Sequence, residues 1–184
     1  MKVKEIIKTS ATLLGKENVV KYLADENQET DLITLSEVNT FVTLLNTLLE
    51  ELASGYIPMV KTEDIGGKQK VAFSDLTEKI LKIVAFYNAN GNEVSYTQNT
   101  DHAIVYGYAE TISYEYLPSS YGLNDVIGYT KEITILSLAY GLAGEFCITQ
   151  GRYEEGVFFH QKFVDSIENV KKIKGKTMAV RVWR

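Results

Sequence analysis

Apolar residues near the start of the chain are spaced for helices. Val3, Ile6, Ile7, Leu13 and Leu14 recur with the helical period over residues 3–14, and Gly15 supplies a residue on which a helix ends. Val19, Val20 and Leu23 predict a further turn or two over 16–23, and the acidic, polar stretch 24–31 reads as a solvated loop. Thr34-Leu35-Ser36-Glu37 has the capping-box pattern, in which a threonine hydroxyl and a glutamate carboxylate satisfy the first free amides of a helix. Val38, Phe41, Val42, Leu45, Leu48, Leu49 and Leu52 continue from it as one broad stripe, and Gly55 closes the helix. Asn39 and Asn46, seven residues apart, either hydrogen-bond the backbone of a neighbouring element or face water.

After Pro58 the period changes from that of a helix to that of a strand. β-branched and aromatic residues alternate over 56–118, with turn dipeptides between them. Residues 59–62 and 70–73 flank Gly66-Gly67 as a hairpin, and 80–87 reads as a strong strand. Asn90-Gly91 suits a type I′ turn, with positive φ at both central residues, and 93–97 returns from it. Residues 103–108 and 111–117 are the last strands, with Ile112, Tyr114 and Tyr116 on one face, and Pro118 stops the sheet. Seven of the 12 tyrosines fall between Tyr87 and Tyr121. Tyrosine suits a half-exposed sheet face, and a sheet this rich in it also suits a protein contact.

Two closing helices follow over 131–173. Ile133, Leu136, Tyr140, Ala143 and Phe146 line one side of the first, and Tyr153, Val157, His160, Val164, Ile167 and Val170 one side of the second. Glycine inside a helix costs about 1 kcal/mol relative to alanine, so Gly141 and Gly144 predict close backbone approach by a neighbour. Gly151 sits at a helix C-cap, and so short a turn folds the two helices against each other. The last 14 residues hold Lys171, Lys172, Lys174, Lys176, Arg181 and Arg184 with no acidic residue. Met178, Val180 and Val182 alternate there with Ala179, Arg181 and Trp183, which is a strand pattern suited to another subunit's sheet edge or to the chain's own sheet. The expected fold is therefore α+β: a bundle of about four to five helices, a β-sheet or hairpin insertion between its N-terminal and C-terminal helices, and an extended basic C-terminal arm. The expected boundaries are 1–57 for the N-terminal helices, 58–118 for the β insertion, 119–173 for the closing helices and 174–184 for the arm.

Composition adds little, being 45% hydrophobic and 23% charged over 184 residues. No apolar run reaches the ~18 residues a membrane span needs, and the N-terminus reads as an amphipathic helix rather than a signal peptide. The single cysteine, Cys147, excludes an internal disulfide and falls in an apolar helix as a buried thiol, which fits folding in a reducing cytoplasm. A net charge of −5 argues against broad nucleic-acid affinity of the body. His102 and His160 lack the spacing of a metal site, and neither a phosphate loop nor a nucleophile elbow occurs. Glu110 and Glu115, five apart on a strand pattern, fall on opposite faces and cannot flank one bond. An enzyme is the weaker reading, and no cofactor is expected.

The order of parts carries a resemblance. The segment LSEVNTFVTLLNTLLEELASGYIPMVKTEDI resembles the N-terminal helix of phage head–tail connector proteins, a long helix with an Asn-bearing apolar face that runs into a Tyr-hydrophobic-Pro strand. ISYEYLPSSYGLND, the helix with Ala143 and Glu145, and GRYEEGVFFHQKFVD resemble that family's closing half. The likeness spans about residues 36–170 and is similar to the tubular protein A type of adaptor in short-tailed phages. It implies a structural virion protein, made in the host cytoplasm and placed at the head–tail interface. It implies a homo-oligomeric ring of twelve copies that docks on the portal protein, meets tail or stopper proteins, and passes DNA through its lumen without sequence-specific binding, with no membrane. Lys171, Lys172, Lys174, Lys176, Arg181, Trp183 and Arg184 would then grip the portal or a neighbouring subunit. The alternative is a nucleic-acid-binding accessory phage protein acting through its basic C-terminal tail.

Overall fold

The computed structural model describes residues 1–25, 31–129 and 133–182, with side chains through Val170. The described residues form an α+β fold of five helices and two small antiparallel sheets, in two compact units: residues 1–48 with 121–184, and residues 49–120.

In the first unit, α1 (Val3–Leu13) buries Val3, Ile6, Ile7 and Ala11, while Leu13 of the expected stripe is exposed. It ends at Gly15, whose φ of +68° a residue with a side chain rarely adopts. α2 (Glu17–Ala24) buries Val19 and Leu23. α3 (Leu32–Glu51) starts earlier than the capping-box pattern implies. Asp31, not Thr34, supplies the cap: its Oδ1 accepts the Thr34 N–H at 2.7 Å and its Oδ2 the Thr34 hydroxyl at 3.1 Å. Glu37 is thereby released to pair with Lys16 at 2.6 Å. The two asparagines divide between the two expectations. Asn39 is exposed, whereas Asn46 forms a two-way amide pair with the Tyr121 backbone, accepting its N–H at 2.8 Å and donating to its carbonyl at 3.0 Å. α3 does not close at Gly55 with a glycine cap. It passes into a π-helical turn over Leu52–Tyr56, with the Ile57 N–H bonded to the Leu52 carbonyl at 2.8 Å. Contrary to the expectation from apolar runs, Leu32–Tyr56 is long and apolar enough to cross a membrane by length and composition alone, a test that the core helix of a soluble protein also passes.

α4 (Ile135–Thr149) is capped by Thr134, whose hydroxyl oxygen accepts the Ser137 N–H at 3.1 Å. It is buried on most sides, through Leu138, Ala139, Leu142, Ala143, Phe146 and Cys147, although Leu136 of the expected stripe is exposed. Phe146 stacks on Phe41 of α3 at 4.2 Å. Gly151, at φ +74°, turns the chain into α5 (Tyr153–Val182). The buried line on α5 is Gly156, Phe163, Ile167 and Val170, and the expected leading residues Tyr153 and Val157 are each 67% exposed. The line begins on a glycine, so apolar periodicity alone misplaces it. The reason for the glycine is packing. A Cβ on Gly144 would meet the Gly156 carbonyl oxygen and the His160 nitrogen, both at 3.2 Å, and one on Gly156 would meet Ile148 Cγ1 at 2.9 Å. On Gly141 it would meet Leu48 Cδ2 at 2.8 Å.

In the second unit, β1 (Met59–Asp64), β2 (Lys70–Ala72), β3 (Lys79–Tyr87), β4 (Glu93–Val94), β5 (Tyr96–Gln98), β6 (His102–Val105) and β7 (Thr111–Leu117) form sheets of order β1-β7-β3-β4 and β2-β6-β5. The expected 59–62/70–73 hairpin is absent. Gly66 and Gly67 both have positive φ, but the turn sends the chain from one sheet to the other. The 93–97 strand divides at Ser95 in the same way, β4 pairing with β3 and β5 with β6. Asn90-Gly91 is no type I′ turn, because only Gly91 has positive φ. The loop is the three-residue kind, and the Asn88 side-chain oxygen accepts the N–H groups of Asn90 and Asn92, each at 3.0 Å. The last expected strand but one stops at Val105. Ile65, Val71, Ile83, Phe86, Val105 and Ile112 join the two sheets in one core, together with Tyr114.

Two substitutions test this packing. Gly144→Val, which drives α4 from α5 against backbone, is expected to lower unfolding free energy by about 1–3 kcal/mol in urea titration. Asn46→Ala, which removes both hydrogen bonds to the Tyr121 backbone, is expected to cost about 2 kcal/mol in the same titration.

Candidate functional site

The residues that the sequence singles out for partner binding, Lys171, Lys172, Lys174, Lys176, Arg181, Trp183 and Arg184, lie outside the residues whose side chains are described, and Trp183 and Arg184 outside the described backbone as well. Where a strand alternation and an extended arm are expected, the described backbone instead continues α5 as far as Val182. What the described residues do bring together is a set of polar side chains in the second unit and several exposed apolar groups in both.

The polar set is built on the β1–β7 ladder. Register places Glu63 opposite Ile112 and Lys61 opposite Tyr114, with all four on the inward face. Tyr114 is fully buried, so its hydroxyl needs a partner inside the unit, and it donates to Glu63 Oε1 at 2.6 Å. The Thr77 N–H donates to both Glu63 oxygens, at 3.3 and 3.2 Å, and the Glu78 N–H reaches the Tyr114 oxygen at 3.4 Å. Lys61 bridges the Glu63 and Glu78 carboxylates at 3.2 and 3.6 Å. Burial opposes ionisation of Glu63. The bonds from Tyr114, Thr77 and Lys61 overcome it and hold the carboxyl at about 2. Burial, then the bond to Glu63, pushes the Tyr114 phenol well above its ordinary range. The arrangement pins the segment after β2 to the sheet. Both Glu63 oxygens accept bonds from within the chain, which makes the group a structural clasp.

His102 is held between Asp101 Oδ1 at 2.6 Å and the Asn99 side-chain amide at 3.0 Å. The bond to His102 lowers the Asp101 carboxyl below its ordinary value. Glu110 precedes β7 and Glu115 lies within it, and neither joins the clasp. Cys147 is buried, and that burial raises its thiol. Among the described residues no three His, Cys, Asp or Glu side chains gather where they would hold a metal ion.

The exposed apolar groups are concentrated. Tyr153, Val157 and Phe158 lie on α5, with Lys162 over the Phe158 ring at 5.6 Å, and Leu32 and Ile33 open α3. In the second unit Val60, Leu81 and Val84 are exposed on the four-stranded sheet, and Ile104, Tyr106 and Tyr108 on and after β6. The tyrosines thus divide. Tyr114 is core, as its place beside Ile112 implies, while Tyr106 and Tyr108 face outward. Sequence reasoning missed the Glu63 clasp. Its only signal was an inward-facing phenol, visible once Tyr114 is known to share a face with Ile112.

No family model matches the chain, and no curated protein sequence matches it.

Glu63 is ionised when folded well below its unfolded value of 4.5, so its contribution is present above about pH 4.5 and is lost as pH falls from there through about 2. The unfolding midpoint of the wild type is expected to drop across that window, and Glu63→Gln to flatten the drop. Tyr114→Phe is expected to cost about 1.5–3 kcal/mol at neutral pH in chemical denaturation, since it removes a hydrogen bond to a charged acceptor.

Proposed function

We propose that this protein is a head-to-tail adaptor: a structural virion protein that assembles as a ring on the portal and continues the DNA channel to the tail. The observation that carries the reading is the division of the chain. One helical unit is made from both ends, residues 1–48 and 121–184, and a β unit of residues 49–120 is inserted between them. This order of parts is the one on which the family resemblance rests.

Three further features support it. Apolar residues are exposed on both units, as in a protein that meets other chains. All 24 acidic residues precede residue 171 and six of the 19 basic ones lie from Lys171 onward, so an acidic body is joined to a basic end. An acidic lumen repels phosphates and lets DNA slide, and the basic end suits acidic grooves on a partner, with an affinity that falls as salt rises.

Electron microscopy of the protein mixed with the portal protein of the same genome tests the reading. A ring of added density beneath the portal is the expected result, and its rotational symmetry gives the copy number. Deletion of residues 171–184 is expected to leave a folded protein that no longer docks. Unaltered docking of the truncated protein would remove the role of the basic end. A steeply salt-dependent gel shift with DNA, in the absence of portal binding, would favour the nucleic-acid-binding alternative.

A further inference from the structure

Asn90-Gly91 is the one place in the chain where asparagine is followed by glycine. Asparagine is among the chemically labile residues. Its amide carbon is an electrophile within reach of the next residue's backbone nitrogen, and a side chain on that next residue obstructs the approach. Glycine has none. The pair stands at the tip of the β3–β4 loop, and both residues are exposed. The Asn90 side chain makes no hydrogen bond among the described residues, whereas Asn46, Asn88 and Asn99 each engage theirs with a neighbour. Asn39 and Asn169 sit within helices, whose ladder holds the following nitrogen in place. Asn92 and Asn124 are exposed but are followed by residues with side chains.

The loop both presents the pair and restrains it. Gly91 has φ +75°, and its N–H, the one whose nitrogen has to attack, donates to the Asn88 carbonyl at 2.9 Å. The Asn88 side-chain oxygen holds the N–H groups of Asn90 and Asn92, each at 3.0 Å. The Asn88 N–H closes the loop on the Asn92 carbonyl at 2.9 Å. A nitrogen tied to one carbonyl is not free to approach another, so reaction requires the loop to open, and Asn88 sets how often it does. Little else holds the loop. β4 is two residues long, lies at the edge of its sheet and pairs with β3 alone. Short edge elements with few buried contacts open at low free energy.

We propose that Asn90 is a self-modification site: the chain converts it, with water as the only co-reactant, to an isoaspartyl or aspartyl residue, and the isoaspartyl form releases β4 from β3. The Gly91 nitrogen gives its proton to solvent and bonds to Asn90 Cγ. The Cγ–Nδ2 bond breaks, and ammonia leaves with a proton taken from water. Water then opens the resulting five-membered imide ring. Addition at Cγ restores the ordinary backbone with an aspartate side chain. Addition at the main-chain carbonyl leaves the chain running through Cβ and Cγ, one atom longer, with a free carboxylate. Either product adds a negative charge close to the exposed Glu93. The longer backbone also shifts the Gly91 and Asn92 amides from their Asn88 acceptors, on which so short a strand depends. Val94, packed against the core of the unit, is the residue this frees. The chemistry is the chain's own and needs no partner.

Ageing of the full-length protein at neutral pH tests it. Fragmentation mass spectrometry locates a gain of one mass unit, and isoaspartyl methyltransferase tells the isoaspartyl product from the aspartyl one. Asn90 is expected to convert before every other asparagine of the folded chain, and more slowly than in the same chain unfolded in guanidinium chloride. Asn88→Ala is expected to speed the folded conversion about fivefold, the worth of one net hydrogen bond, and to leave the unfolded rate unchanged. Asn88→Asp, which keeps an accepting oxygen, is expected to keep the slow rate, and Asn90→Gln to abolish the gain of mass. Hydrogen exchange is expected to be faster at the amides of residues 92–94 in aged than in fresh protein, with those of β7 unchanged. The site is overturned if Asn90 stays intact in both the wild type and Asn88→Ala, if another asparagine converts first, or if Asn88→Ala leaves the folded rate unchanged. A gain of mass that persists at this loop in Asn90→Gln overturns it as well. Equal exchange in aged and fresh protein overturns the release of β4.

Discussion

The close approach of α4 and α5 is the constraint on which the helical unit depends. Two antiparallel helices joined by a turn this short have no freedom to separate, and at one point they meet backbone to backbone: Gly144 lies against the Gly156 carbonyl and the His160 amide. That proximity fixes the rotation of α5, and with it which residues face in. Phe163, Ile167 and Val170 follow Gly156 to the inside, which turns Tyr153, Val157 and Phe158 to the outside. It also brings Phe163 within reach of Gly141, which at the same time receives Leu48 of α3. Stacking of Phe41 on Phe146 then ties α3 to the same pair. An apolar surface on α5 is therefore a consequence of how tightly its opposite side is packed.

The β unit solves a different problem. A small two-sheet core has few residues with which to hold its connections, and here the segment between β2 and β3 is held by charge and hydrogen bonds as well as by Phe73 and Leu76 packed on the core. Glu63 collects a phenol, a backbone amide and an ammonium, and Tyr114 spends its hydroxyl on the same carboxylate. Such a network is strong because each member is satisfied and costly if one is removed. It explains how a tyrosine can be among the largest fully buried side chains of the molecule.

Much of this fold was legible in the sequence where one period ran unbroken. The α3 stripe, the β7 face with Ile112 and Tyr114, the helix end at Gly15 and the close approach at Gly141 and Gly144 all follow from spacing and residue type. Spacing failed where the decisive partner was distant. Asp31 outcompetes Thr34 as a cap because a carboxylate accepts from both the amide and the hydroxyl, and the local pattern has no means of ranking them. The β2 and β5 pairings failed because β6, which joins them, reads as one ordinary strand, while Gly66-Gly67 and Ser95 read as turns within a sheet rather than between two. The Glu63 clasp joins residues as far apart as 51 positions, and no period reports on that. The α5 register was hidden by a glycine standing where an apolar residue was sought.

How this unit presents itself to other chains follows from the edges of its sheets as well as their faces. An open edge invites uncontrolled strand addition, and each edge here is blunted. β1 carries Lys61, Glu63 and Asp64 along six residues, β4 has two residues, and β2 and β5 have three each. The stretch of β3 beyond β4 is longer and more apolar, but two bulges twist it and Lys79 and Lys82 charge it. The apolar groups left exposed lie instead on the broad sides, at Val60, Leu81 and Val84 and at Tyr106 and Tyr108. Short, charged and bulged edges therefore leave the broad sides of the sheets, and not their edges, as the apolar surface of this unit.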